Sequence, residues 1–243
     1  MKILAVASGK GGVGKSTVSL NLARGLAGQG AAVGLLDADI YGPDIPLMLG
    51  LKQSRELRRW DLGRNPAFGR LELEPVDAVG LKVMSVGFLL AESQAFAMPG
   101  MLVELVTRQL IHDVRWGDLD YLVVDLPPGT ADLQQRFFST VDLAGAIVVV
   151  GPQDAAHLDA RKLVSLLAAA NVTVLGGVEN MRGLACPHCG ETIEVFPAVA
   201  DDRSIFREID FLGSVPLDPS FARLNGVPEP FRALAARVAA ALA

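Results

Sequence analysis

GKGGVGKST, residues 9–17, stands between an apolar run and a helical pattern, and this arrangement decides the fold class. It meets the pattern G-x-x-x-x-G-K-S/T of a phosphate-binding loop through Gly9, Gly14, Lys15 and Ser16. The run ILAVAS before it (residues 3–8) suits a buried strand, and VSLNLARGLAG after it (residues 18–28) spaces its apolar residues as a helix does. A chance glycine-rich turn does not account for this strand–loop–helix order.

The loop predicts a site for the phosphates of a nucleotide. Glycines let backbone N–H groups converge on phosphate oxygens, and the N-terminus of the following helix adds its positive dipole end. We expect Lys15 to neutralise the β- and γ-phosphates and Ser16 to complete the coordination of Mg²⁺. Lys10 is a second lysine inside the loop, and nucleotide binding alone does not require it. The predicted cofactor-binding residues of the loop are Gly9, Gly11, Gly12, Val13, Gly14, Lys15, Ser16 and Thr17.

Length and composition limit the class of protein. The 243 residues suit one large α/β domain over residues 1–243, and 51% hydrophobic with 20% charged residues is typical of a globular chain. The net charge of −5 predicts no stable binding of nucleic acid. No apolar stretch reaches the roughly 18 uncharged residues of a membrane span, so we expect no membrane association and a cytoplasmic location.

The order of elements predicts an α/β fold with a doubly wound, mostly parallel sheet of about seven strands flanked by helices. Several predicted strands lack polar alternation, as expected when helices cover both faces of a parallel sheet. Residues 51–75 break the pattern, and we interpret them as a surface excursion that is mobile without a ligand. The predicted strands are residues 3–8, 33–39, 81–87, 121–127, 146–152, 172–180 and 211–217, and the predicted helices are residues 16–28, 99–113, 154–170, 200–208 and 228–242.

Polar residues follow three of these strands, and the carboxyl ends of parallel strands meet at one edge of a sheet. Asp37 and Asp39 end the second strand, where a carboxylate can orient or activate a water at the γ-phosphate, although a polar strand end or helix cap is an alternative. Asp125 ends an apolar strand as a Walker B carboxylate does, and we expect it to hold Mg²⁺ through water. The PPGT that follows (residues 127–130) is either a γ-phosphate switch or an ordinary turn. Asn180 can read an adenine edge, or can simply end its strand in a turn.

CPHCG places Cys186 and Cys189 at a spacing that suits one edge of a metal or iron–sulfur site. The chain has two cysteines in all, so the simplest completion of such a site is a second copy across a two-fold axis. A thiol redox pair and a structural turn are the alternatives. We therefore treat residues 181–200 as a candidate segment for dimer and cluster contacts.

Taken together, the chain resembles the Mrp/ApbC/Nbp-type P-loop ATPases, which are the iron–sulfur cluster carriers of the MinD/ParA superfamily with its deviant Walker A motif. The resemblance covers nearly the whole chain and rests on the order and spacing of its motifs. Many bacterial members carry an additional small N-terminal domain, which we do not expect here because the first predicted strand follows Met1 almost at once. The motifs are GKGGVGKST, LLDADIYGPDIPLMLG, LKVMSVGFLL, WGDLDYLVVDLPPGT, GPQDAAHLDARK, VLGGVENM, CPHCG and LGSVPLDP.

The resemblance implies roles for individual residues. Lys10 is implied to reach across a dimer to the partner's nucleotide, and Asp39 to serve the catalytic water. It implies that Cys186 and Cys189 bind a 4Fe-4S cluster shared by two subunits. The other implied cofactor contacts are Mg²⁺ with Asp125, adenine with Asn180, and the nucleotide with Asp37 and Pro216.

The predicted function is that of a homodimeric ATPase that uses ATP and Mg²⁺, binds a 4Fe-4S cluster between its subunits and passes it to apo iron–sulfur proteins. One alternative is a MinD/ParA-like positioning protein, whose dimer binds membrane or DNA. A second alternative is the same ATPase with a structural zinc ion bound by Cys186 and Cys189.

Overall fold

A computed structural model of the chain describes residues 1–51, 73–88, 100–129, 132–186, 188–189, 191–222 and 224–243. The described residues form one sheet of nine strands. The predicted excursion over residues 51–75 lies mostly outside them. The strands are β1 (Lys2–Ala7), β2 (Val33–Asp37), β3 (Val76–Ala78), β4 (Leu81–Ser85), β5 (Tyr121–Asp125), β6 (Gly145–Val150), β7 (Val174–Ala185), β8 (Thr192–Ile193) and β9 (Phe211–Leu217).

The sheet runs in the order β3-β4-β2-β5-β1-β6-β7-β8, with β9 also paired to β7. All pairs are parallel except β3 with β4 and β7 with β8. The central strands are buried on both faces, and every residue of β6 is buried. This burial explains why the central strands show no polar alternation.

Two groups of helices flank the sheet. The C-terminal helix α6 packs against α1, whereas α4 contacts both α3 and α5. Among the helices of the described segments, none is long and apolar enough to cross a bilayer. Their bounds are α1 (Lys15–Ala27), α2 (Ile45–Met48), α3 (Gly100–His112), α4 (Asp132–Thr140), α5 (Asp154–Ala169) and α6 (Glu229–Ala241).

The structure confirms the flanked, mostly parallel sheet but corrects its details. The count of about seven strands is wrong, because β3 and β8 have three and two residues and are too short to give a periodic pattern. The helix predicted over residues 200–208 is also wrong. A single 3₁₀ turn, Ile205–Arg207, stands there, capped by the Ser204 hydroxyl, which accepts the Phe206 N–H. Two helices were not predicted: α2 has four residues, and α4 has a largely polar sequence.

Candidate functional site

The loop between β1 and α1 is held tightly between β7 and α5. A Cβ on Gly14 would lie 2.2 Å from Nδ2 of Asn180, and a Cβ on Gly9 would lie 2.4 Å from the carbonyl oxygen of Asp159 in α5. Gly14 also has a left-handed backbone, with φ of 78°, immediately before α1 begins at Lys15. Glycine is the residue that fits at both positions. The first turn of α1 has no side-chain cap, so its N–H groups can point toward a phosphate.

Lys15 and Asp125 form a buried ion pair beneath the loop. The Lys15 Nζ lies 2.8 Å from Oδ1 of Asp125, and the Ser19 hydroxyl donates to the same oxygen at 2.7 Å. The other oxygen, Oδ2 of Asp125, is buried and has no hydrogen-bond partner among the described residues. An unpaired oxygen on a fully buried carboxylate is costly, so this atom marks a place for a ligand.

Asp39 stands on the other side of Lys15. Its Oδ2 is 3.9 Å from the Lys15 Nζ, while its Oδ1 accepts the N–H groups of Tyr41 and Gly42 at 3.3 Å. Burial raises the pKa of Asp39 above its ordinary value, although Lys15 acts in the opposite direction. The turn thus fixes one oxygen, and the other faces the lysine that is expected to bind the γ-phosphate.

Asp37 accepts hydrogen bonds from protein donors on both of its carboxylate oxygens. Its Oδ2 accepts the Ser85 hydroxyl at 2.9 Å and the Ile45 N–H at 3.3 Å, and its Oδ1 accepts the Asp39 N–H at 3.2 Å. Burial and then the charge of Asp125 raise the pKa of Asp37 well above its ordinary range. Both oxygens accept protein donors, so Asp37 fixes the turn that carries Asp39.

The charges around Lys15 suit a divalent cation. The carboxyl groups of Asp39 and Asp125 can carry two negative charges against the one positive charge of Lys15. Carboxylate and hydroxyl oxygens are the ligands that Mg²⁺ prefers, and it keeps much of its hydration. The residues therefore fit Mg²⁺, with Oδ2 of Asp125 and the Ser16 hydroxyl as the groups that would hold it directly or through water.

Ser19 is a site residue that the sequence motifs did not single out. It follows Lys15 by four residues, and that spacing places both on one face of α1. Its hydroxyl is fully buried and lies 3.0 Å from the Lys15 carbonyl as well as 2.7 Å from Asp125. This second contact makes Ser19 a positioning residue for the Asp125 carboxylate.

Ser19→Ala is expected to raise the Mg²⁺ concentration that supports half-maximal nucleotide binding by about 10-fold, because a hydrogen bond to a charged group contributes roughly 1.5–3 kcal/mol. Titration of Mg²⁺ at fixed nucleotide measures this effect. Ser165→Ala is the matched control, since the Ser165 hydroxyl makes the same bond to the carbonyl four residues earlier on an exposed part of α5. An unchanged Mg²⁺ dependence in Ser19→Ala would contradict the assignment.

The remaining predicted nucleotide residues surround the loop. The Asn180 amide donates to the Val13 carbonyl at 2.8 Å, so it holds the loop. Pro216 follows Val215, which is paired with Asn180 across β7 and β9. Lys10 is exposed. Of the other loop residues, Gly11 and Gly12 are exposed and Ser16 and Thr17 are half-buried in α1.

The segment after β5, predicted as a switch, returns to the loop. The Gly129 N–H donates to the Ser8 carbonyl at 3.0 Å, and a Cβ on Gly11 would lie 3.8 Å from Cγ of Pro128. Residue 130 lies outside the described part. The described part of PPGT is therefore in contact with the nucleotide loop.

The cysteine pair lies beyond the end of β7. Cys186 is half-buried, Cys189 is exposed, and both are free thiols. Hydrogen bonds from the backbone N–H groups of Cys189 and then His188 lower the pKa of the Cys186 thiol, which favours the thiolate that metals bind. Within the described part of the chain, no group of three or more His, Cys, Asp or Glu side chains could hold a metal ion. The two thiols therefore have no third potential ligand of this kind beside them among the described residues.

Comparison with known proteins shows the family of the chain. The family described as "ParA: NUBPL iron-transfer P-loop NTPase" matches residues 1–241. An iron-sulfur cluster carrier protein of Deinococcus radiodurans is 41% identical over 216 residues, which are 89% of this chain and 59% of that protein. One of Aquifex aeolicus is 42% identical over 231 residues, which are 94% of this chain and 61% of that protein.

The chain thus spans about three fifths of the length of these two relatives, at 59% and 61%. A nucleotide-binding protein from Archaeoglobus fulgidus, solved in complex with ADP, superposes with a TM-score of 0.72 at 35% identity over 96% of this chain and 87% of that one. The match to the fold and to the family confirms the resemblance predicted from the motifs. The chain belongs to the ParA family of P-loop NTPases, in its NUBPL iron-transfer group.

Proposed function

We propose that this protein binds and hydrolyses ATP and carries an iron–sulfur cluster that it delivers to apo-proteins. The observation that carries the proposal is the presence, on one chain, of a buried Lys15–Asp125 site under a phosphate loop and of a free, accessible Cys186–Cys189 pair. Cluster delivery is supported by the relatives that are named iron-sulfur cluster carrier proteins. Nucleotide binding is supported by the ADP complex of the Archaeoglobus fulgidus protein.

Lys15 and Asp125 are proposed to bind the phosphates and the Mg²⁺ of the nucleotide. The phosphates of ATP attract the Lys15 ammonium, and the Ser19 hydroxyl continues to hold Oδ1 of Asp125 as that lysine turns toward them. Bound Mg²⁺ would neutralise charge that develops on the β- and γ-phosphate oxygens. The buried Oδ2 of Asp125 is then available as an acceptor for the hydration shell of that ion.

Asp39 is proposed to position the attacking water. The water attacks the γ-phosphorus, the bond from that phosphorus to the β,γ-bridging oxygen breaks, and ADP leaves with the bridging oxygen while inorganic phosphate forms. The Asp39 Oδ2 accepts the proton that the water loses, while the Tyr41 and Gly42 N–H groups keep the carboxylate in place. Burial, by raising the pKa of Asp39, makes it a better base than an exposed aspartate.

Asp39→Asn is expected to lower the hydrolysis rate by about 100-fold while leaving ADP affinity within about threefold of the wild type, since removing a positioned base costs 10²–10⁴. The asparagine Oδ1 retains the two backbone contacts, so the loop stays folded. Asp44→Asn provides the control, because Asp44 is exposed five residues away and caps nothing with its side chain. Wild-type turnover in Asp39→Asn would remove Asp39 from the mechanism.

The cysteine pair is proposed to bind a 4Fe-4S cluster between two copies of the chain. Such a cluster takes four thiolates, and each chain offers two. A two-fold axis beside the cysteines supplies the missing pair. Lys10, exposed at the loop, is proposed to contact the nucleotide of the partner in that homodimer.

Anaerobic reconstitution with iron and sulfide tests the cluster half directly. We expect a broad visible absorption band that fades when an apo iron–sulfur acceptor is added and appears in the acceptor after separation. A colourless protein that holds zinc would support a structural clamp instead. ATP-dependent co-sedimentation with liposomes or DNA would support a positioning protein. The cytoplasmic location remains a prediction from the sequence.

A further inference from the structure

One short stretch of β7, residues 180–183, contacts both the nucleotide loop and the cysteine hairpin. We define the cysteine hairpin as the described residues 184–186, 188–189 and 191–194. At one end, the Asn180 amide donates to the Val13 carbonyl at 2.8 Å. Three residues later, Gly183 lies so close to the hairpin that a Cβ there would be 2.7 Å from Cγ2 of Thr192. At the hairpin base, the Cys186 N–H donates to the Glu191 carbonyl at 2.8 Å. The two proposed ligand sites are therefore joined by a single strand.

The backbone of this stretch is kinked. Met181 and Gly183 both have left-handed conformations, with φ of 64° and 67°. The pairing of β7 with β9 changes register between Asn180 and Leu184. A methionine in the left-handed region is strained, and such strain persists where the surrounding structure imposes it. The Met181 Cε lies 3.3 Å from the position of a Cβ on Gly14, so the kink packs directly against the nucleotide loop.

Arg182 lies between Met181 and Gly183 and forms ion pairs on both sides of the kink. Its Nη1 lies 3.2 and 3.3 Å from the two carboxylate oxygens of Glu179, and its Nε lies 3.2 Å from Oε2 of Glu194 in the hairpin. Glu179 is largely buried and lies 3.8 Å from Nε2 of His157 in α5, the helix against which Gly9 packs. Glu194 is exposed and is the outermost residue of this group of charged side chains.

We propose that Arg182 is a positioning residue that couples the nucleotide loop to the cysteine hairpin. This rests on the proposed function, because it requires that both ATP and a cluster bind. A shift of the Val13 carbonyl on nucleotide binding moves Asn180, and the kinked backbone passes that shift to Arg182 and its partner Glu194. By linkage, a bound cluster must then change nucleotide affinity by the same factor as nucleotide changes cluster affinity.

The experiment is to measure the Kd of a non-hydrolysable ATP analogue for the apo and the cluster-loaded full chain. We expect the two wild-type values to differ by about 5-fold or more, within the usual range for coupled sites. Glu194→Gln removes only the outer ion pair, and it should bring the ratio of the two values to within about twofold of one. The apo Kd and the iron content per chain should stay at wild-type levels.

Two further variants separate positioning from a merely structural role. Glu194→Asp keeps the charge and should recover part of the wild-type ratio. Glu191→Gln is the matched control, because Glu191 is exposed in the same hairpin and its side chain has no ion pair with the described residues. Glu191→Gln should retain the wild-type ratio of the apo Kd to the cluster-loaded Kd.

Three results would overturn the coupling. One is a wild-type ratio near one with the cluster bound, and another is an unchanged ratio in Glu194→Gln. Glu194→Gln could also lose the cluster while keeping normal nucleotide affinity. That result would show that Arg182 supports the cysteine ligands of the cluster and does not couple them to the nucleotide loop. A wild-type protein that takes up no cluster under any condition would instead overturn the proposed function itself, and the coupling with it.

Discussion

Replacing Cys186 and Cys189 together by serine is expected to reduce iron and sulfide to background after anaerobic reconstitution. Serine hydroxyls do not replace thiolates as ligands of iron–sulfur clusters. Both thiols lie beyond the end of β7 and neither is fully buried, so we expect the free energy of unfolding to change by less than about 0.5 kcal/mol. Nucleotide affinity of the apo protein should stay within about twofold of the wild type, since only coupling to a bound cluster joins the two sites.

His188→Ala is the control for this variant. His188 lies between the two cysteines and is exposed, so its loss perturbs the same turn without removing a thiol. It should retain the wild-type absorption spectrum and iron content. A full cluster in the double serine variant would place the ligands elsewhere and remove the cysteine pair from the proposal.

Lys15→Met is expected to have the largest effect on the nucleotide half of the site. The Lys15 ammonium is buried against Asp125 at 2.8 Å, and it is the cation placed to meet the phosphates. Loss of such a buried charge contact costs on the order of 3 kcal/mol or more, which is about 100-fold or more in nucleotide affinity. Because Asp125 is left unpaired, the free energy of unfolding should also fall by about 3–5 kcal/mol. Isothermal titration and denaturant unfolding measure the two effects.

A double variant separates these two consequences. In Lys15→Met with Asp125→Asn, no uncompensated charge remains in the pair, so part of the lost stability should return while nucleotide binding does not. The two substitutions should therefore be non-additive in unfolding by more than about 0.5 kcal/mol, as contacting residues usually are. Additive effects would mean that the ion pair contributes little in the folded protein.

Much of the nucleotide site could be predicted from sequence because its signals are local. A strand, a glycine-rich loop and a helix occur in immediate succession, and the acidic residues directly follow apolar strands. The rule that parallel strands end at one edge then predicts convergence, and the structure brings Lys15 to within 2.8 Å of Asp125 and 3.9 Å of Asp39. The parallel sheet follows from the same pattern of buried strands.

What sequence could not supply depends on contacts between distant segments. Ser19 gains its importance from Asp125, which is 106 residues away, and no motif marks that pair. Only the structure shows that Ser85 and Ile45 donate to Oδ2 of Asp37 and that the Asp39 N–H donates to its Oδ1. The short strands β3 and β8 form because neighbouring strands offer them an edge, which a two- or three-residue pattern does not reveal. Likewise, the link from Arg182 to Glu194 requires the hairpin to fold back on β7.

The central claim is that one cluster is shared by two chains through Cys186 and Cys189. The most direct test combines iron and sulfide analysis of the anaerobically loaded protein with its mass in solution. We expect a particle of two chains with about two irons and two sulfides per chain, since one 4Fe-4S cluster is divided between them. A loaded monomer with about four irons per chain, or a dimer that holds zinc and no sulfide, would contradict it.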